Sequence, residues 1–257
     1  MFRRLFFAVV LILLSTNGAW ALSLGANITR FDDVGTGTGW YGAQEDNEVE
    51  PNNVQAQGWD LEGFFLKGTT LAMVGGYDFI NGKEGLTSGD IFIDVDGLFS
   101  YGTENATSGG SASTPVVNNT FGYDYVLDMD FASRTYSVIR LDSSASVVQT
   151  ELVYYSQNAE SNPWLYYSGG TLLDTLTMEY LTGLSDTETG LTGGLHNAAF
   201  LDLSFLGHGT GFTAHFTMEC GNDNLMGRGV TPAPEPGTLI LLGAGLVGLL
   251  AWRRSRH

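Results

Sequence analysis

Short runs in which apolar and polar residues alternate recur along the middle of the chain. The clearest is 121–131, where every odd position is apolar or aromatic and three of the even positions are aspartates. A β-strand places successive side chains on opposite faces, so this period of two predicts a strand with one face toward a core and one toward water. The same alternation predicts strands at 59–65, 90–95, 201–205 and 212–219.

The segments between these runs have turn and loop composition. Ala132-Ser133 separates two strand-like runs, and 207–211, which contains three glycines, is predicted to be a hairpin loop between the last two. Because no segment of the middle has an apolar period near 3.6, the pattern predicts an all-β fold, an antiparallel β-sandwich or jelly-roll-like domain at 22–224. Polar stretches predict surface loops at 42–53, 102–119 and 182–194.

The N-terminus has the composition of a secretion signal. Arg3-Arg4 precedes an uncharged apolar run at 5–14, and Ala19 and Ala21 form an A-x-A cleavage box. The apolar run is about half the ~20 residues that a membrane-spanning helix needs, which disfavours the alternative of an uncleaved anchor. The sequence therefore predicts a signal peptide at 1–21 that is cleaved after Ala21.

The C-terminus combines three features in order. A linker at 225–236 ends in Pro234-Glu235-Pro236, and its prolines keep it extended and accessible. The next sixteen residues, 237–252, carry no charge and would form a transmembrane helix of about 24 Å. The basic tail at 253–257 follows, and under the positive-inside rule it would stay in the cytoplasm. The residues of this stop-transfer cluster are Arg253, Arg254 and Arg256.

These features resemble the PEP-CTERM sorting signal, with Pro234-Glu235-Pro236 at the position of its name motif. The resemblance covers roughly the last 25 residues. It implies processing by a membrane protease of the exosortase class in a Gram-negative bacterium. The expected route is export by the general machinery, an intermediate anchored in the inner membrane, and delivery to the cell surface or extracellular matrix. An ordinary single-pass anchor is the alternative.

The segment between the two ends is strongly acidic. Residues 22–230 contain 27 Asp and Glu and six Lys and Arg, a net charge of −21. Such a field repels phosphate backbones, which excludes a nucleic-acid partner. Cys220 is the only cysteine of the chain, so no intramolecular disulfide forms and the fold depends on its core. A buried structural thiol is expected at this position.

Few residues have the spacing of a metal site. Asp94 and Asp96 precede Gly97 as in the first half of a calcium loop, but Asn105 stands where that pattern requires Glu. They are weak calcium candidates, and calcium is the one cofactor that the sequence leaves open. A zinc site is disfavoured, because zinc needs three or four ligands in close register. His208 and His215 are seven residues apart, one expected in a loop and one on a solvent face.

The middle of the chain contains no nucleophile elbow, P-loop or H-E-x-x-H motif. The sequence therefore predicts a non-enzymatic surface or matrix protein with a structural or adhesive role. Two alternatives stay open. Aromatic residues such as Trp164 and Tyr167 would suit a carbohydrate-binding module that acts on exopolysaccharide. Paired carboxylates would suit a secreted hydrolase.

Overall fold

A computed structural model describes residues 22–30, 46, 49, 53–99, 115–142, 144–149, 161–233, 245, 253 and 254 of the protein. These residues form fifteen strands and one α-helical turn. In chain order the elements are β1 Ala26–Asn27, β2 Thr29–Arg30, β3 Leu61–Lys67, β4 Thr70–Gly75, β5 Ile91–Asp94, β6 Pro115–Val117, β7 Tyr125–Asp130, β8 Thr135–Arg140, β9 Val147–Gln149, β10 Leu165–Ser168, β11 Thr171–Thr177, β12 Glu179–Leu184, α1 Asp186–Thr189, β13 His196–Asp202, β14 Gly211–Thr217 and β15 Asn224–Val230.

The strands make three sheets. One has five strands in the order β1-β3-β4-β13-β12, one has seven in the order β11-β8-β7-β5-β14-β15-β2, and one has three in the order β10-β9-β6. Every pairing between named strands in these sheets is antiparallel. The prediction of an antiparallel, β-rich domain is therefore confirmed for the described part of the chain.

The main core lies between the five-stranded and the seven-stranded sheet. Alternate residues of the strands point into it, as in β14, where Phe212, Ala214 and Phe216 are at most 3% exposed. Phe79 and Phe131 stack with ring centroids 5.6 Å apart, and Phe216 meets both rings edge-on. Because such aromatic pairs add roughly 0.5–1.5 kcal/mol each beyond area burial, this group stabilises the packing of the two sheets.

The chain crosses from one of these two sheets to the other at both of their lateral edges. The Ile28 N–H donates to the Phe64 carbonyl of β3 at 2.9 Å, and the Ile28 carbonyl accepts from the Arg228 N–H of β15 at 2.8 Å. At the opposite edge, Met178 alone separates β11 from β12. Gly227 allows the close approach beside Ile28, because a Cβ there would lie 2.9 Å from the Phe64 side chain. The crossings restrict access to the edge strands.

The outer face of the seven-stranded sheet is apolar as well. Phe92 of β5, Val126 of β7 and Ile139 of β8 pack there against Val148 of β9, in a second buried cluster. The three-stranded sheet supplies the other side of this cluster, with Val116 and Tyr166 packed against it. The central strands of the seven-stranded sheet are thus covered on both faces, whereas its edge strand β11 is largely exposed.

This third layer overturns the prediction that His215 faces solvent. The side chain is 0% exposed, and its Nε2 lies 3.1 Å from the Ser161 carbonyl and 3.0 Å from the Pro163 carbonyl. Its Nδ1 lies 3.1 Å from the sulfur of Met226. Burial lowers the pKa of His215 to about 4, so the imidazole is neutral at pH 7.

Asp90 was also predicted on a solvent face, and the same layer buries it. Its Oδ1 accepts the Met129 N–H of β7 at 2.8 Å, and its Oδ2 accepts the Tyr166 N–H of β10 at 2.7 Å. One carboxyl group thereby links the seven-stranded and the three-stranded sheet. Burial raises the pKa of Asp90 to about 8, because the charged form loses hydration.

The turn at Ala132-Ser133 is confirmed, since it joins the paired strands β7 and β8. The prediction of a hairpin at 207–211 is wrong, because this segment joins β13 and β14, which lie in different sheets. Residues 225–230, assigned by the sequence to the linker, belong to β15, and Leu225 is 0% exposed in the main core. Residues 115–117, assigned to a loop, form β6. At each of these positions, pairing with a strand that is distant in the sequence determines the secondary structure.

We expect His215 to make the domain sensitive to acid. Its pKa is depressed from 6.5 to about 4 in the folded state. The stability that the neutral imidazole contributes is therefore present above pH 6.5 and is lost as pH falls through 4, by up to about 3 kcal/mol. His215→Gln retains a donor of similar size without the titration. Urea unfolding of residues 22–233 at pH 7, 5.5 and 4 should show wild type losing more stability than this variant. Parallel curves would contradict the prediction.

Candidate functional site

The residues predicted for signal cleavage, Ala19 and Ala21, lie outside the described residues, as do Pro234, Glu235, Pro236 and Arg256 of the predicted sorting tail. Arg253 and Arg254 are described; both are helical and exposed. Of the predicted transmembrane segment at 237–252, only Gly245 is described. Among the residues that the structure covers, no helix has the length and hydrophobicity needed to cross a membrane.

The two calcium candidates lie together and are joined by a third carboxylate. Oxygen atoms of Asp94, Asp96 and Asp124 lie within 4.8 Å of one another. Asp94 ends β5, and Asp124 precedes β7, the neighbouring strand of the seven-stranded sheet. We call these three residues the acidic turn. Sequence reasoning placed Asp124 on a solvent face with other aspartates and did not connect it with Asp94.

The carboxylates of the acidic turn bind backbone groups. Asp94 accepts the N–H groups of Gly97 at 2.9 Å and Leu98 at 3.2 Å. Asp124 accepts the Val95 N–H at 2.7 Å. Burial raises the pKa of Asp94 and of Asp124, and their mutual repulsion raises that of Asp94 further. The carboxylates thus close the turn after β5, and three hard oxygen ligands of this kind are also what a calcium ion prefers.

The acidic turn borders a groove of about 1110 Å³. The groove runs over the end of β5 and the edge formed by β15 and β2. Its charged lining residues are Asp94, Asp96, Arg30 and Arg228, and Phe99 is among its apolar lining residues. We call it the charged groove. It presents acceptors and donors of hydrogen bonds beside apolar surface.

A second cluster of charged side chains lies on the outer face of the five-stranded sheet. His196 of β13 is 0% exposed, and its Nδ1 lies 2.7 Å from both carboxylate oxygens of Glu62 on β3. Its Nε2 lies 3.0 Å from Oδ1 of Asp186, in the first turn of α1. Both ring nitrogens of His196 therefore face carboxylate oxygens.

Further carboxylates surround this pair. Asp46 and Asp60 come within 4.8 Å of Glu62, oxygen to oxygen, and Gln57 Nε2 donates to Glu62 at 2.7 Å. Glu62 is 1% exposed, and burial raises its pKa to about 7. The hydrogen bond from His196 lowers the pKa of the exposed Asp186. We call this group the Glu62–His196 cluster.

The sequence did not reveal the Glu62–His196 cluster. Asp60 and Glu62 occupy the polar positions of an alternating strand and were predicted to face water, which is wrong, since both are at most 2% exposed. The segment that contains α1 lies on this face, and Leu191 packs in a third buried cluster with Phe65 and Ala198 of the sheet. The partner of Glu62 is His196, which lies 134 residues away in the chain. A local sequence pattern cannot pair residues that far apart.

The remaining residues considered from the sequence do not come together. The exposed His208 contacts the Pro232 carbonyl through Nδ1 at 3.2 Å, whereas His215 is enclosed under the third layer. Cys220 is buried in the main core, as expected. Trp164 is 5% exposed, so it packs in the interior, whereas Tyr167 is 58% exposed. A stacking platform made of Trp164 and Tyr167 together is therefore absent from this part of the chain.

We expect Glu62 to oppose stability at alkaline pH. Its pKa is raised from 4.5 to about 7 on folding, so the stability that its protonated form contributes is present below pH 4.5 and is lost as pH rises through 7, by up to about 3 kcal/mol. Measured by urea unfolding between pH 5 and 8, wild type should lose stability relative to Glu62→Gln. Asp186→Asn is the control, because the pKa of Asp186 is lowered and it stays ionised throughout this interval. Equal slopes for wild type and Glu62→Gln would refute the assignment.

Comparison with known proteins bears on the tail. The family model described as the PEP-CTERM protein-sorting motif matches residues 232–255. No curated protein and no solved structure matches the chain. The match begins immediately after Thr231, which is 1% exposed and donates through its hydroxyl to the Gly207 carbonyl at 2.7 Å. The chain therefore carries a PEP-CTERM sorting motif, which indicates an exported protein that an exosortase sorts, behind a central domain assigned to no family.

Proposed function

We propose that this protein is a structural or adhesive component of the bacterial surface or extracellular matrix, without enzymatic activity. The observation that carries the proposal is the junction between domain and tail. β15 ends at Val230, and the sorting motif starts at 232. The β-domain is thus the cargo of the sorting tail, with almost no spacer between them.

The short junction limits the distance between the domain and the membrane. An extended residue spans at most about 3.6 Å, so the few residues between Val230 and the apolar segment at 237–252 hold the domain close to the membrane surface. A membrane-embedded protease would meet Pro234-Glu235-Pro236 at high effective concentration. The expected intermediate is anchored in the inner membrane with the arginine cluster in the cytoplasm, and cleavage releases the domain toward the outer surface.

The central domain supports a role other than catalysis. The ring nitrogens of His196 lie against carboxylates and those of His215 against carbonyls and a thioether. Neither ring has a nitrogen left to act as a general base. The net charge of −21 in residues 22–230 favours solubility and mutual repulsion of released domains.

The motif itself gives the sharpest test of sorting. Glu235→Ala removes the only charge between Arg228 and Arg253 and leaves the sequence of the β-domain unchanged. In the native host, this variant and one lacking 253–257 should accumulate in the membrane fraction at precursor size. Glu179→Ala, which removes an exposed carboxylate from β12, is the matched control and should be sorted normally.

The readout is a blot of membrane and surface fractions with mass analysis of the mature C-terminus. Wild-type protein that keeps residues 237–252 at the surface, or normal sorting of both tail variants, would show that the tail is an ordinary anchor.

A carbohydrate-binding module is the second candidate function, and the charged groove favours it. Sugar hydroxyls both donate and accept, and the groove offers carboxylates at Asp94 and Asp96 and guanidinium groups at Arg30 and Arg228 beside Phe99. Its volume of about 1110 Å³ is enough for several sugar rings, since drug-sized ligands occupy roughly 300–1,000 Å³. The ligand class would be the host exopolysaccharide.

Arg228→Ala should weaken binding to purified host exopolysaccharide by about tenfold, because a hydrogen bond from a charged group contributes roughly 1.5–3 kcal/mol. Arg140→Ala, an exposed arginine outside the groove, should bind as wild type does. Affinity electrophoresis with and without calcium measures both. Equal loss in the two variants would indicate a general charge effect, and no binding by wild type would remove this candidate.

A further inference from the structure

The first described residue, Leu22, is also the first residue of the predicted mature chain. Its backbone nitrogen lies 2.9 Å from the carbonyl oxygen of Glu188. If the signal peptide is removed after Ala21, this nitrogen is the α-amino group of the protein. The atom that signal cleavage would expose is therefore placed against a specific acceptor.

The residues after Leu22 fix the position of this nitrogen. Leu24 is 5% exposed and packs in the third buried cluster, with Leu22 against the same cluster. Gly25 has φ +108° and lies so close to β3 that a Cβ would clash with the backbone of Leu66. Ala26 then pairs with Leu66 in the five-stranded sheet. The location of the Leu22 nitrogen follows from these contacts and needs nothing from the residues before it.

The acceptor belongs to the end of α1. The last carbonyls of a helix have no partner within the helix, so they accept hydrogen bonds from groups outside it. The last turn of α1 contains no basic residue, which leaves that position to a group from elsewhere. Gly190, in the left-handed conformation with φ +78°, ends the helix there.

The helical turn that presents this carbonyl is itself held at several points. Ser185 and Glu188 form a capping box at its N-terminal end. Asp186 contacts His196 in the Glu62–His196 cluster at 3.0 Å, and Leu191 is buried with Leu24 in the third cluster. The acceptor is thus pre-positioned by the fold, as a binding site for one group requires.

We propose that the α-ammonium group released at Leu22 by signal cleavage is bound by the Glu188 carbonyl at the end of α1, so that processing completes the packing of the N-terminal segment on the five-stranded sheet. The inference rests on the predicted export and cleavage after Ala21. In the precursor the same nitrogen is a neutral amide with one donor. After hydrolysis of the peptide bond it is an ammonium with three donors and a positive charge, which makes a stronger hydrogen bond.

Cleavage would then have to precede docking. A protease holds its substrate extended on both sides of the bond it cuts, and Leu22 is already half-buried at the surface of the domain. The Ala21–Leu22 bond is therefore accessible only while the N-terminal segment is undocked. The order of events is export, cleavage, and then packing of Leu22 and Leu24 into the third cluster.

The test uses the full chain exported with its own signal. Mature protein is purified, its N-terminus is identified by mass, and the rate of α-amine acetylation by a succinimidyl ester is measured at pH 7 by peptide mapping. In one variant an extra Ala follows Ala21, which moves the ammonium one residue away from Glu188. Because only the unprotonated, accessible amine reacts, we expect the native amine to react about tenfold more slowly than that of the insertion variant.

Leu22→Ala is the matched control. It leaves the amine in place but removes part of the packing, so it should lower the melting temperature and still react slowly. Equal acetylation rates in native and insertion chains would overturn the proposed site while leaving export and cleavage intact. A surface protein that still carries residues 1–21, or that starts at a residue other than Leu22, would overturn both the cleavage prediction and the site.

Discussion

The central strands of the seven-stranded sheet have two buried faces, and the rest of the domain covers them. Phe212 and Phe216 project from β14 into the main core, while Phe92 and Val126 project from neighbouring strands into the second cluster. Each buried side chain of this size contributes roughly 1.5–3 kcal/mol when water is excluded. The five-stranded sheet supplies one cover and the three-stranded sheet the other. In the central strands, residues on both faces are therefore interior, including polar residues such as Thr213, His215 and Thr217 that alternate with apolar ones.

Burial of both faces determines the electrostatics. The domain is strongly acidic, yet several of its carboxylates lie inside it, where a charge is costly unless it is hydrogen-bonded. Asp90 uses both oxygens to accept backbone N–H groups from two layers, and Glu62 binds His196 and Gln57. Their pKa values are raised by burial, whereas that of His215 is lowered for the same reason. Asp90 and His215 thereby connect the seven-stranded sheet to the chain around the three-stranded sheet, and Glu62 connects β3 to β13.

The two ends of the domain are built differently, in agreement with the route proposed for the protein. The N-terminal segment packs on the outer face of the five-stranded sheet from Leu22 onward, and its backbone is paired with β3 from Ala26. At the other end, Thr231 is anchored by hydrogen bonds to the 207–211 crossover, and the sorting motif starts at the next residue. The sorting motif is thus attached to the domain with a minimal spacer.

The sequence by itself determined the β-rich character, the C-terminal sorting motif and the core-facing positions of strands such as β7 and β14. These depend on local composition and on a period of two, which any stretch of chain displays without its partners. The pairing of distant strands was decided only by the tertiary structure. It placed β15 in the core, made 207–211 a crossover, and brought Glu62 to His196 and Asp124 to Asp94. An alternating strand looks the same whether its polar face meets water or a third layer, because burial of that face depends on residues far away in the chain.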